Sequence, residues 1–310
     1  MSKTLSVIVP CYNEEGGLNS FFERLYAVLD GDEFSSYRHE VIAINDGSRD
    51  KTLEELIEAK RRFKSLRILD LSRNYGKEAA LTAGLNYATG DAVIPIDADL
   101  QHPPELLIEM VALWESGYEV VVAKRMSRDT DRPIQRAMAK AFYRMHNAIS
   151  DIEVPEDVGD FRLMDRVVVE ALRKLPENRR FMKGLFAWVG FRTSVVEYQV
   201  EARVTGSSKF NSWKLWNFAL EGITSFSNVP LRIWTYLGFM IAMSALVYGI
   251  YVVVKTMVFG VDLPGYPSLL VSVLFLGGVQ LISIGVLGEY IGRIYLETKQ
   301  RPVYLVRKEY

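Results

Sequence analysis

The sequence predicts an α/β fold, a mainly parallel sheet with helices on both faces, joined to a pair of membrane-spanning helices. Three observations carry that prediction. Short β-branched runs alternate with amphipathic stretches over the first two hundred residues, which is the pattern of a layered α/β domain. Polar clusters recur just after those runs, where such sheets bind ligands. Two long segments near the other end, 233–254 and 266–288, contain no charged residue, and each reaches the ~20 apolar residues needed to cross a bilayer.

The predicted strands are "LSVIVP" (Leu5 to Pro10), "EVIAIN" (Glu40 to Asn45), "LRILDL" (Leu66 to Leu71), "AVIPI" (Ala92 to Ile96) and "EVVVA" (Glu119 to Ala123). Between them, "DKTLEELIEAKRRF" and "KEAALTAGLNYA" read as helices. The clusters "CYNEE", "NDGSRD", "SRNYGK" and "DADLQ" follow the first four strands in turn. Residues 1–208 are therefore read as the soluble domain.

The next segment, 209–232, carries Trp213, Trp216, Leu220 and Ile223 at helical spacing, with Lys209 and Lys214 nearby. That pattern suits an ordinary core helix or an amphipathic helix lying in the headgroup layer, and its position just before a membrane span favours the interfacial reading. The two spans are placed at about 233–254 and 266–290, within 233–292. The tail 293–310 holds Arg293, Lys299, Arg301, Arg307 and Lys308, whereas the connection between the spans holds one Lys and one Asp. By the positive-inside rule the tail is cytoplasmic, and a two-span hairpin puts the soluble domain on the same side. Glu289 and Arg293 stand four apart at the exit of the second span, where they can pair.

Composition excludes several classes of function. In 310 residues, 37 Lys+Arg against 38 Asp+Glu leave no global basic field for nucleic acid. One cysteine, Cys11, excludes an internal disulfide and fits a reducing compartment. Three His and one Cys without ligand spacing argue against zinc. Neither G-x-G-x-x-G after the first strand nor a P-loop is present, so any nucleotide is held differently. The N-terminal "MSKTLSVIVPCYNEE" is not a secretory signal.

Within the clusters, Asp97 and Asp99 pair two carboxylates one residue apart at a strand end. They either cap the following helix or hold a hard divalent cation, Mg²⁺ or Mn²⁺, with sites left open for diphosphate oxygens. Asp46 ends the second strand in a turn that faces the same rim. Asp160 and Arg162 lie among apolar residues in "VGDFRLM", either as a structural pair or with Asp160 poised for proton transfer. Arg203, in a Gly/Ser-rich loop with Lys209, is a candidate phosphate clamp or a solvated charge.

Together "SVIVPCYNEE", "NDGSRDKT", "RNYGKEAAL", "DADLQHPPE" and "GDFRLM", followed by the two spans, resemble the GT-A family-2 glycosyltransferases. Within them the likeness is to polyprenyl-phosphate glycosyltransferases, the bacterial bactoprenol glucosyl transferases in particular, whose "FMKG", "PLRIWTY" and "GVLGEYIGR" type segments this chain shares. The resemblance covers essentially the whole chain. It implies that Pro10, Tyr12, Asn13, Glu14, Asp46, Arg73, Lys77 and Asp97 bind the nucleotide-sugar. It implies that Asp97, Asp99 and Gln101 surround the metal, and that Asp160 is the candidate base, with Asp99 also catalytic. Arg125, Arg162, Arg203 and Lys209 become acceptor or phosphate contacts.

The implied reaction is inverting transfer of one sugar, glucose from UDP-glucose, to undecaprenyl phosphate at the cytoplasmic face of the bacterial inner membrane. The Q-x-x-R-W motif of processive synthases is absent. Alternatives are the same chemistry with GDP-mannose and dolichyl phosphate, a UDP-aminosugar donor, or a non-catalytic membrane scaffold. A homotetramer is implied by resemblance alone; Gly277, Gly278, Gly285 and Gly288 would permit close helix packing.

Overall fold

The computed structural model describes residues 2–126, 158–177, 180, 182–199, 229–259 and 265–310. Among the described residues eight strands form one sheet in the order β7-β5-β6-β4-β1-β2-β3-β8. The first half follows the predicted alternation: β1 (Thr4–Cys11), α1 (Leu18–Leu29), β2 (Arg38–Asn45), α2 (Thr52–Arg62), β3 (Leu66–Leu71), α3 (Lys77–Tyr87), β4 (Ala92–Pro95), α4 (Leu106–Glu115) and β5 (Val120–Arg125). β1 pairs in parallel with β2 and with β4, and β2 with β3. Their carboxyl ends therefore share one rim.

The second half adds β6 (Val158–Asp165), α5 (Arg166–Arg173), α6 (Met182–Trp188) and β7 (Thr193–Tyr198). β6 runs antiparallel to both β4 and β5, so its first residues, rather than its last, reach the rim. β7 is parallel to β5, which brings Tyr198 beside Arg125 there.

Two hydrophobic layers close on the sheet. On one side Phe21, Phe22 and Leu25 of α1 and Leu56 of α2 pack under Val7, Val9, Val41 and Ala43. On the other, the alanine-rich α3 lies against Ile8, Ile42 and Ile44. Gly84 explains how closely α3 approaches: a Cβ there would stand 2.9 Å from Ile8 Cβ and 3.1 Å from Ile44 Cδ1.

Two long helices follow, α7 (Val229–Phe259) and α8 (Tyr266–Thr298). The first outruns its predicted span at both ends, whereas the second starts where predicted and continues past the apolar stretch only at its carboxyl end. Among the described residues one segment, Phe275–Thr298, is long and apolar enough to cross a membrane by length and composition, with mean hydropathy 1.4; Tyr236–Tyr251 in α7 is a shorter apolar stretch. Large apolar side chains point outward from both helices, Phe239 at 66% exposure and Leu281 at 72%. Arg293 donates to Glu289 at 2.9 Å, the pair expected at the exit of the second span.

The segment 293–310 is not simply a tail. After the last turns of α8 it forms β8 (Val306–Glu309), which lies antiparallel against the edge of β3. Arg67 holds Glu309 at 2.7 Å, and Ile68 and Tyr310 exchange both backbone bonds. The chain that leaves the sheet domain for the apolar helices thus returns to it.

Candidate active site

The rim is assembled by loops that bond one another. The first, after β1, is sewn to the second, after β2. Asn13, with φ +54°, donates its amide to Ser48 Oγ and accepts from the Arg49 amide. Glu14 and Gly16 donate their amides to Thr52 Oγ1 and Glu55 Oε1. Pro10, Tyr12, Asn13 and Glu14 are all half-buried along this seam.

The third loop, after β3, is built around Asp46. The buried Asp46 carboxylate accepts the Tyr75 amide at 2.7 Å, the Gly76 amide at 2.9 Å and Asn74 Nδ2 at 3.0 Å. Burial pushes its carboxyl upward, against the two amide donors that favour the anion. The side chain that the resemblance assigned to the nucleotide-sugar is thus already holding a loop. Gly47 permits this closeness: a Cβ would lie 2.3 Å from the Arg73 carbonyl carbon and 2.4 Å from the Asn74 nitrogen. Arg73 is exposed and stacks its guanidinium 4.5 Å from the centre of the Tyr75 ring.

That loop delivers Lys77, the first residue of α3, to the middle of the rim. Its ammonium lies 2.7 Å from Asp97 Oδ1, 2.9 Å from Asp97 Oδ2 and 2.7 Å from Asp160 Oδ2. Lys77, expected against the nucleotide-sugar, stands between two acids of the rim. Burial works against ionisation of Asp160, yet Lys77, Lys183 and Arg162 outweigh it and hold that carboxyl down at about 2. Asp160 Oδ1 is buried with no hydrogen-bond partner among the described residues.

Arg162 lies two residues farther along β6 and is 5% exposed. It donates to the Gly159 carbonyl at 2.9 Å and stacks 3.8 Å from the centre of Phe186. Its place is beneath the rim, lining a cavity of about 200 Å³ with Lys183, Phe186 and Phe191. Arg125 ends β5 at the rim itself. Arg203 and Lys209, and the interfacial segment around Trp213, lie outside the described residues.

Sequence reasoning missed two groups. Glu78, next to Lys77, is raised by burial and by the Asp160 charge, and it accepts the Met182 amide at 3.3 Å. His102 shares a hydrogen bond of 2.7 Å between Nδ1 and the Tyr198 hydroxyl, and its Nε2 stands 3.9 Å from Asp97. Burial keeps the imidazole below its ordinary value despite Asp97 and Asp99. The sequence signal for His102 was its place in "DADLQHPPE", three residues past the second carboxylate.

Among the described residues no group of three or more His, Cys, Asp and Glu side chains forms a metal cage. The oxygen donors the sequence singled out, the carboxylates of Asp97 and Asp99, are both half-exposed. Gln101 is tied to them through its backbone amide, which donates to Asp99 Oδ1 at 3.1 Å. Two hard oxygen donors at an open rim fit Mg²⁺ or Mn²⁺, which keep several positions for water or phosphate oxygens.

Profile comparison matches residues 6–173 to Glycosyl transferase family 2, and residues 229–294 to the GtrB C-terminal hairpin. The chain belongs to glycosyltransferase family 2. It is an enzyme of the transferase class. The bactoprenol glucosyl transferase of Shigella phage SfX is 53% identical over 304 residues, 98% of each chain. A prophage bactoprenol glucosyl transferase homolog of Escherichia coli K12 is 51% identical over 305 residues, again 98% of each. Glucosyl-3-phosphoglycerate synthase from Mycobacterium tuberculosis, solved with Mn²⁺, UDP and phosphoglyceric acid, shares the GT-A fold. Its TM-score is 0.51 at 20% identity, over 72% of this family-2 chain and 76% of that one.

Proposed function

We propose that the protein transfers glucose from UDP-glucose to undecaprenyl phosphate, inverting the anomeric carbon and releasing UDP. The observation that supports this best is the likeness to bactoprenol glucosyl transferases at above 50% identity over 98% of the chain. The rim supplies the parts such a reaction needs.

In this reading Asp97 and Asp99 hold Mg²⁺ or Mn²⁺, with Gln101 beside them. When bound, the cation neutralises charge on the leaving diphosphate. The loop seam from Pro10 to Glu14 lines the nucleotide, and Asp46 fixes the loop that carries Arg73 and Lys77 toward it. Arg125, Arg203 and Lys209 serve the acceptor phosphate, and Arg162 backs Asp160 from below.

The acceptor phosphate has its second pKa near ~6 and is mostly dianionic at neutral pH. It needs little help to attack. Asp160, held at about 2, is a weak base, so its role is to orient the acceptor through Lys77 rather than to take a proton.

The membrane arrangement follows the same logic. A soluble nucleotide-sugar and a lipid phosphate meet only at a membrane surface. Because β8 pairs with β3, the chain must enter and leave the apolar helices on one side of any bilayer they cross. A multi-pass hairpin in the bacterial plasma membrane, with the sheet domain and both termini cytoplasmic, satisfies this.

The test is incorporation of radiolabelled glucose from UDP-glucose into organic-extractable lipid by detergent-purified protein. Undecaprenyl phosphate is present, and Mg²⁺ is added or chelated. Metal-dependent labelled lipid is expected. Signal only with another nucleotide-sugar would discard glucose, and silence with every donor would discard the transferase reading.

A further inference from the structure

The three-membered cluster of Asp97, Lys77 and Asp160 asks what one ammonium does between two acids assigned to different substrates. Lys77 covers both oxygens of Asp97, at 2.7 and 2.9 Å, while touching Asp160 at 2.7 Å. These are ordinary charge-assisted distances. A divalent cation on Asp97 would need the same carboxylate oxygens, and two cations sharing them repel strongly at such separations.

Lys77 is also well placed to change partners. Its side chain keeps 44% of its surface accessible, against 16% for Asp160. Its backbone is fixed by the Asp46 bonds to residues 74–76, so the side chain can swing while its root stays. On leaving Asp97 it can keep Asp160, whose Oδ1 is buried and has no partner among the described residues.

We propose that Lys77 is a positioning residue that exchanges partners: it competes with the divalent cation for Asp97, yields it when the cation and diphosphate arrive, and stays on Asp160. This rests on the assignment of Asp97 and Asp99 as cation ligands. The consequence is that donor loading and acceptor-side order are linked through one side chain. Cation binding at Asp97 leaves Lys77 to Asp160 alone, near the arriving diphosphate.

The test reads Mn²⁺ binding directly, by the electron paramagnetic resonance signal of free Mn²⁺, on the full detergent-purified chain without nucleotide. Lys77→Gln keeps a hydrogen-bond donor for Asp160 and removes the charge; it should bind Mn²⁺ about tenfold or more tightly than wild type, the equivalent of ~1.4 kcal/mol. Lys77→Arg, which keeps the charge should Lys77→Gln fail to fold, should stay within about threefold of wild type. Lys183→Gln controls for the general field, because Lys183 acts on Asp160 and Glu78 electrostatically; it too should stay within about threefold.

Equal affinity in wild type and Lys77→Gln, or equal tightening in Lys77→Arg or Lys183→Gln, would overturn the exchange. Asp99→Asn separates the two ideas. If it abolishes Mn²⁺ binding while Lys77→Gln changes nothing, the cation site stands and the Lys77 proposal falls. If neither wild type nor Lys77→Gln binds Mn²⁺, both fall.

Discussion

The carboxylate of Asp46 accepts the backbone amide of Gly76 at 2.9 Å, so the end of β2 sets where α3 begins and where Lys77 stands. Asp46→Asn keeps the shape but turns one acceptor oxygen into a donor facing N–H groups. The buried mismatch should cost about 1–3 kcal/mol. Transfer should fall more than stability implies, on the order of tenfold, because Lys77 loses its root. Thermal unfolding and transfer assays on the same preparation check both; full activity would show that the loop needs no such anchor.

Gly47 tests the packing of the same loop. Gly47→Ala would force a Cβ against backbone atoms of Arg73 and Asn74, with φ already at +61°. Backbone strain alone costs about 1 kcal/mol, and the clash should carry the total beyond ~2 kcal/mol. Gly16, at φ +85° with nothing within 4 Å of a Cβ, is the matched control. Gly16→Ala should cost only the strain, and equal melting temperatures for the two variants would contradict the packing account.

Much of this rim was legible because it lies at the ends of parallel strands whose apolar runs are unmistakable, as in "LRILDL". β6 was not, since Phe161, Arg162, Leu163 and Met164 are all buried and no alternation marks the strand. An arginine that stacks on Phe186 does not advertise itself as core. β8 was hidden for the opposite reason: Arg307, Lys308 and Glu309 are exposed edge residues, and their pairing with β3 depends on where two long helices return the chain. Lys77, Asp97 and Asp160 were each picked out by motif, but their convergence required β6 to run antiparallel.

Asp99→Asn should lower turnover by on the order of 10²-fold or more if Asp99 carries the cation at the leaving diphosphate. The fold should be intact, because Asp99 is half-buried at a rim rather than in the core. Near-normal turnover would remove Asp99 from the cation site. Asp160→Asn separates orientation from proton transfer. A carboxyl held at about 2 does not titrate near neutrality, but Glu78, raised to about 8 partly by the Asp160 charge, does. In a Glu78→Gln background, therefore, the rate loss should be the same from pH 6 to 9, and a loss that grows or shrinks across that range there would restore the base role.

Glu78 gives the fold its own pH dependence. Its carboxyl is raised from 4.5 to about 8, by burial first and the Asp160 charge second. In the native state it therefore holds a proton that the unfolded chain has lost. Stability from this group is full below pH 4.5 and declines as pH rises toward about 8. Glu78→Gln should flatten that decline while leaving the acid side unchanged. Denaturation curves at pH 5 and pH 8.5 for both proteins decide it, and parallel curves would mean Glu78 is ionised throughout.

The last strand offers a test of how the apolar helices are tied to the sheet. Deleting residues after Pro302 removes β8 and uncovers the edge of β3. The Ser72 amide then loses the Leu305 carbonyl at 2.9 Å, Ile68 loses Tyr310, and Arg67 loses Glu309. At roughly 1 kcal/mol per net backbone bond, the sheet domain should melt about 5 °C lower or more. Ser72 also opens the loop that ends at Lys77, so donor affinity should weaken alongside stability. If the truncated protein keeps its melting temperature but loses transfer, β8 serves only to hold the domain against the membrane. If it keeps both, the pairing of β8 with β3 contributes nothing to the enzyme.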